Sequence, residues 1–218
     1  MCDTDVTYKF SELNEKAKDR ARDEYRSGDY PGYDWWDNTY EDAVRMATLM
    51  GINISSTTHK SQRDPNRTWT EPDISFSGFS SQGDGASFEG NYRMAPDAVQ
   101  KIASETNDDE LARIATELSV MQVTRRLQGL EPFSATIKTS GNYCHSNTMD
   151  VDVNSEDEDD EHCDLGDIEE TVTQLMRDFA DWIYKQLEAE HEYLCSDECV
   201  DQYLNDSDDE YDEDGSTI

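Results

Sequence analysis

Ile74-Ser75-Phe76-Ser77-Gly78-Phe79-Ser80-Ser81-Gln82-Gly83-Asp84-Gly85-Ala86-Ser87-Phe88-Glu89-Gly90-Asn91-Tyr92 is the stretch on which the fold turns. Ile74–Phe79 and Ala86–Tyr92 both alternate apolar and polar residues, the period of a half-buried strand. Gly83-Asp84-Gly85 between them marks the turn of a hairpin. The same glycines invite comparison with a phosphate-cradling loop. The run has no Lys, however, and no helix follows it whose N-terminus could hold an anion. Turn formation and close strand approach are the better use of these glycines.

Working outward, Phe133-Ser134-Ala135-Thr136-Ile137-Lys138 and Thr148-Met149-Asp150-Val151-Asp152-Val153 alternate in the same way and are joined through Gly141-Asn142. Ile52-Asn53-Ile54-Ser55 is a further strand, whereas 57–73, with His59, Arg63, Arg67 and two prolines, reads as an exposed, weakly basic loop. Apolar residues at helical spacing predict helices elsewhere. The first carries Leu13, Ala17, Ala21 and Tyr25 behind a Phe10-Ser11 cap. The second is capped by Asp34, carries Trp36, Tyr40, Ala43, Val44 and Ala47, and is closed by Gly51. A third opens at Pro96, and a fourth over 108–127 carries Leu111, Ile114, Ala115, Leu118, Met121 and Val123. A long amphipathic helix begins at Asp167, with Ile168, Val172, Leu175, Phe179, Trp182 and Leu187 on one stripe. Helix pairs and hairpins without strand–helix–strand alternation define an α+β protein: an antiparallel sheet of about five strands packed by several helices. The expected organisation is a single domain over 1–204, with an acidic loop at 154–166 and a disordered acidic tail at 205–218. No internal repeat is visible.

Charge is the second signal. From Asp150 to Ile218 there are 27 Asp and Glu against two basic residues, Arg177 and Lys185, so this segment carries 25 of the chain's 33 net negative charges. A bias of this size points to a partner of opposite sign and disfavours direct nucleic-acid binding. The face of the long helix opposite its apolar stripe holds Asp167, Glu170, Asp178, Asp181, Glu188 and Glu192, next to the run Glu156, Asp157, Glu158, Asp159, Asp160 and Glu161. Carboxylates three or four residues apart on a helix stand about 5–6 Å apart, and DNA phosphates advance about 3.4 Å of axis per nucleotide on each strand. Such a face therefore offers a nucleic-acid-binding protein a comparable charge array. The plain alternative is a solvated helix face.

Other constellations are weaker. Asp150, Asp152, Asn154 and Glu161 overlay positions one, three, five and twelve of a calcium loop, but Ser155 replaces the glycine and a strand precedes it. His191, Cys195 and Cys199 are spaced by fours, and His162-Cys163 adds donors, without the paired spacing of a structural zinc site. Asp84, Glu89 and His145 are raw material for acid–base chemistry without a recognisable spacing. The expectation is therefore no cofactor, no metal and no enzyme activity. The start of the chain has no basic or apolar leader segment, no window approaches the length of a membrane span, and the five cysteines are scattered. These features lead us to expect a cytoplasmic protein.

Four stretches together resemble a known family: Tyr33-Asp34-Trp35-Trp36 to Glu41-Asp42-Ala43, Ile74–Phe79 to Phe88-Glu89-Gly90, Ser140-Gly141-Asn142-Tyr143-Cys144-His145, and Asp178-Phe179-Ala180-Asp181-Trp182-Ile183-Tyr184-Lys185-Gln186-Leu187-Glu188. The chain is similar, over most of 8–204, to phage- and plasmid-borne proteins labelled antitoxin of a toxin–antitoxin stability system. The resemblance implies a mobile-element origin and an inhibitory, non-enzymatic role, and it carries over no catalytic residues. Taken with the charge, it leads to an expected viral-type acidic inhibitor. Such a protein would mimic DNA and neutralise a basic nucleic-acid-binding partner, either a toxin or a host defence factor of the restriction or CRISPR kind. The rival expectation is a small enzyme or metal-dependent factor using the hairpin 78–90 and His145.

Overall fold

The computed structural model describes residues 6–28, 32, 34–61, 66–141, 143–155 and 166–218. It is α+β, as expected, and its contacts divide it into two compact units: Asn38–Gln186, and a terminal unit made of Met1–Asp37 with Leu187–Ile218. The division differs from the expected boundary at 204 in that both chain ends share a unit.

In the larger unit, α2 (Asp37–Met50) buries Tyr40, Ala43, Met46, Ala47 and Met50, and α1 (Glu15–Ser27) belongs to the other unit. Gly51 closes α2 with φ +88°, and a Cβ there would meet the Arg93 carbonyl oxygen at 2.1 Å, so only glycine fits. Strands β1 (Ile52–Ile54), β6 (Gly90–Arg93), β7 (Phe133–Thr139) and β8 (Met149–Ser155) form an antiparallel four-stranded sheet in that order. In β7 and β8 every second residue is buried, so Phe133, Ala135, Ile137, Met149, Val151 and Val153 supply its apolar face. Two further ladders are β2 (Ser56–Lys60) with β3 (Thr68–Pro72), and β4 (Ile74–Phe76) with β5 (Ala86–Phe88). The region 57–73, expected to be loop, is therefore largely a ribbon. It has no apolar face and is held by cross-strand pairs such as Thr58 with Thr70 and the stacked His59 and Trp69 rings.

The single strand expected over Ala86–Tyr92 breaks at Glu89, because three ladders meet there. Ser55 N–H donates to the Glu89 carbonyl (2.8 Å), Glu89 N–H to the Asp73 carbonyl (2.9 Å), and Asp73 N–H to the Ser55 carbonyl (2.8 Å). This closed ring of three hydrogen bonds lets each strand pair leave in its own direction while every backbone group stays satisfied.

Helix α3 (Ala98–Glu105) starts two residues after Pro96, behind Asp97 in a left-handed conformation (φ 60°). Helix α4 (Asp109–Leu127) is capped by the Asp108 carboxylate, which accepts from the N–H groups of Glu110 and Leu111. Its inner face differs from expectation near the end. Val123 is exposed, and Gln122 and Arg125 are buried instead. Gln122 is useful there because it accepts from Phe133 N–H (3.2 Å) and donates to the Phe133 carbonyl (2.8 Å), satisfying the backbone at the start of β7. Helix α5 (Gly166–Leu194) buries Val172, Leu175, Met176, Phe179, Ala180, Trp182 and Ile183 within this unit. Phe179 meets Phe88 edge-on and stacks on Trp182, whose indole N–H reaches Asp108.

In the terminal unit, a 3-10 turn (Phe10–Glu12) precedes α1 (Glu15–Ser27), which is capped by Asn14 rather than by the Phe10-Ser11 pair. Helix α6 (Asp197–Asp206) is capped by Ser196. Phe10, Leu13, Ala17, Ala21, Val200, Leu204 and Tyr211 form one buried cluster. The segment 205–218, expected to be disordered, is folded into it. Tyr211 is 1% exposed and exchanges both backbone hydrogen bonds with Tyr8.

Candidate partner-binding surface

From Leu187 to Ile218 the chain contains no Lys or Arg. The cations that meet this segment come from α1 and from Lys9 ahead of it. Arg22 forks onto Asp201 with two bonds, 2.6 and 2.7 Å, and also reaches Asp19; Arg26 pairs with Asp197 and donates to the Cys195 carbonyl. Arg20 pairs with Asp214 at 2.6 Å, and the Lys9 ammonium donates to the carbonyls of Asp208 and Asp209. The bond from Asp201 is the main cause of a raised Arg22 pKa. Arg26 holds the Asp197 carboxyl below its usual range, and the Ser216 backbone N–H does the same for Asp214.

These bonds fix the chain and leave other carboxylates facing water. Asp206, Asp208, Asp209, Glu210, Asp212 and Glu213 are exposed, and none has an ion pair with a described residue. Their backbone is pinned from both sides. Glu210 accepts from Ile218 N–H at 3.0 Å, Asp212 N–H donates to Ser216, and Gly215 turns with φ +89° against α1. A Cβ on Gly215 would lie 2.1 Å from the Ala17 carbonyl oxygen. The result is an ordered row of negative charge. Sequence reasoning assigned it to a loose tail because the contacts that order it, Tyr8 and Phe10, lie some two hundred residues away in the chain.

The candidate residues on α5 separate. Asp167, Glu170 and Asp181 are exposed on the larger unit. Asp178 is drawn into the structure: its side chain is 19% exposed, it accepts from Gln174 at 2.7 Å, and it pairs with Arg113, which also holds Glu110 and Glu117. Glu188 is half-buried and Glu192 exposed in the terminal unit. Glu156, Asp157, Glu158, Asp159, Asp160 and Glu161 lie outside the described residues. Of the aromatic anchors, Tyr193 is 58% exposed, while Trp35 is half-buried and packs on His191 and Trp36.

Two of the rival residues, Asp84 and His145, are occupied locally. The Asp84 carboxylate accepts from Ser80 and Ser81 N–H groups (2.9 and 2.6 Å) and so closes the hairpin loop. His145 accepts from Asn147 N–H and packs over Gly85, where a Cβ would meet its ring at 3.0 Å. Asp150, Asp152 and Asn154 lie in extended β8, not in a calcium-type loop. His191 and Cys195 are in contact (Nε2 to Sγ 3.7 Å), and burial pushes the Cys195 thiol up. Among the described residues no group of three or more His, Cys, Asp or Glu is arranged to hold a metal ion, and no helix is long and apolar enough to cross a membrane.

Fold and surface together define an acidic α+β protein with an ordered anionic row. Residues 35–197 match the domain of unknown function DUF8835, and the chain belongs to that family. No curated protein and no solved structure matches it.

Proposed function

We propose that the protein is an acidic inhibitor that occupies the nucleic-acid site of a basic partner protein, as an antitoxin or anti-defence factor would. The observation that carries this reading is the folding of 205–218. Tyr211 is buried, so the backbone that carries the carboxylates of Asp206–Asp214 is held in place rather than loose. Ordering the charges before binding removes an entropic cost that a flexible acidic tail would meet on association. Opposite charge gives rapid, salt-sensitive encounter. An exposed ring such as Tyr203, 54% exposed on α6, supplies an apolar contact that charge alone lacks.

Capture from a bacterial lysate on the immobilised protein, eluted by a salt gradient, tests the reading. The expected outcome is one dominant basic, nucleic-acid-binding protein retained at moderate salt and displaced by duplex DNA. The triple variant Asp206→Asn/Asp208→Asn/Asp209→Asn loses it while melting at the same temperature. A smear of basic proteins released at low salt, unchanged by the variant, would contradict the proposal.

A further inference from the structure

On the larger unit, the ring of hydrogen bonds at Ser55, Asp73 and Glu89 shapes a second site. Ile74 pairs with Phe88 and Ser75 with Ser87, so alternation along β4 and β5 turns Ile74 and Phe88 to the core. Asp73, Ser75, Ser87 and Glu89 fall together on the other face. Thr57, His59 and Glu71 of the neighbouring ribbon and Thr139 of β7 complete a cleft of about 420 Å³, with Pro72 as its apolar wall. That volume is near the lower end of small-molecule sites, about 300–1,000 Å³.

Three features of the cleft are unspent. Ser87 is 2% exposed, yet its hydroxyl has no hydrogen-bond partner among the described residues. Its oxygen is not one of the fully enclosed unpaired atoms, so it opens to the cleft it lines and is available to a ligand. Each carboxylate is half used. Asp73 Oδ1 accepts from the Thr57 hydroxyl (2.6 Å), and Glu89 Oε1 from the Thr139 hydroxyl (2.5 Å) and N–H (3.4 Å), leaving one oxygen on each. Among the described residues that line the cleft there is no Lys or Arg, and His59, the imidazole among them, already lies 3.4 Å from Glu71.

We propose that this cleft binds an alkylguanidinium cation, held by the second oxygens of Asp73 and Glu89 and by the Ser87 hydroxyl. Guanidinium carries five N–H donors in a planar fork and no acceptor, which matches a site offering acceptors on two strands. Asp73 and Glu89 continue the register beyond the Ile74–Phe88 pair, and the 2.9 Å bond from Glu89 N–H to the Asp73 carbonyl keeps the two residues side by side. A metal ion fits less well, because no metal-holding group of three occurs among the described residues. The alkyl stem would lie along Pro72. The inference is independent of the acidic row in the terminal unit.

Calorimetric titration of the full chain with agmatine tests it. We expect saturable one-to-one binding that weakens about tenfold in Asp73→Asn and in Glu89→Gln, as for loss of one charge-assisted bond. Both amides keep the bond to their threonine, and Ser87→Ala weakens binding less. Should either carboxylate variant fail to fold, Ser87→Ala carries the test. Asp208→Asn/Asp209→Asn should bind agmatine as the parent does. A second arm uses an arginine-containing hexapeptide. Binding of the peptide would identify a protein side chain as the source, and its exclusion a free small molecule; either supports the site. Absence of saturation at millimolar agmatine would overturn it. So would equal weakening by the Asp208/Asp209 variant, or displacement of agmatine by stoichiometric calcium.

Discussion

Residues 38–186 and the terminal unit are held together by different forces. In the larger unit, Phe88, Phe133, Phe179, Ile183 and their neighbours are almost wholly removed from water, and the polar groups among them, such as Gln122, are there to complete a strand. In the terminal unit the cluster is small, running from Phe10 to Tyr211, and it is framed by Arg20, Arg22 and Arg26 reaching to acidic residues of the C-terminal segment. Apolar burial depends little on salt or acid. Partly exposed ion pairs depend on both. The contrast shows how so acidic a segment stays folded: α1 lends it cations at a few points, one tyrosine anchors it, and the remaining charge is left for solvent or for a partner.

Variants that attack each unit separately sharpen this contrast. Phe179→Ala should have the largest effect, a loss of about 3–5 kcal/mol for a buried aromatic, seen as a lower midpoint in urea. A loss below 1 kcal/mol would mean that the stack with Trp182 and Phe88 is not a centre of the core. Tyr211→Ala should cost about 3 kcal/mol, but the loss should appear as local proteolysis of 205–218 with the larger unit unaffected. Loss of the whole fold in this variant would erase the distinction between the units. Arg22→Met keeps much of the apolar stem and removes the fork to Asp201, so about 1 kcal/mol is expected for a partly exposed pair. Its effect should shrink as salt is raised, whereas that of Phe179→Ala should not.

The smallest effect is with pH. Asp197 and Asp214 have folded pKa values below their unfolded ones. Their contribution is therefore present above the usual carboxylate value and is lost as pH falls below about 4. Tyr92 behaves oppositely: burial pushes its hydroxyl up to about 12, so its contribution is present below the ordinary tyrosine value and is lost as pH rises towards about 12. Acid should thus loosen the terminal unit first, as followed by Tyr203 and Tyr211 resonances, while Tyr92 reports on the larger unit only at the alkaline end. Simultaneous loss of both units in acid would remove the comparison.

Much of the fold is legible in the sequence where burial is periodic. The alternation in 133–138 and 148–153 and the stripe from Val172 to Leu187 each specify one face, and the structure buries those faces. Legibility fails where contacts are polar or distant. The ribbon β2–β3 buries neither face, so no period marks it. The break at Glu89 arises from a ring of backbone bonds among three residues far apart in sequence, which no local pattern encodes. Tyr211 sits among acidic residues that read as unfolded, and the aromatic residues that bury it stand near the start of the chain. The acidic candidates on α5 were legible as a row, but the pairing of Asp178 with Arg113 was not, because its partner lies on α4.

The claim on which the functional proposal rests is that the acidic segment after α6 is folded. Amide hydrogen exchange of the intact chain at neutral pH tests it most directly, read at Tyr8, Tyr211 and Ile218, whose N–H groups donate to Tyr211, Tyr8 and Glu210. The account predicts slowed exchange at all three, lost in Tyr211→Ala. Exchange at the rate of an unstructured peptide in the parent protein would contradict it, and with it the picture of an ordered anionic row.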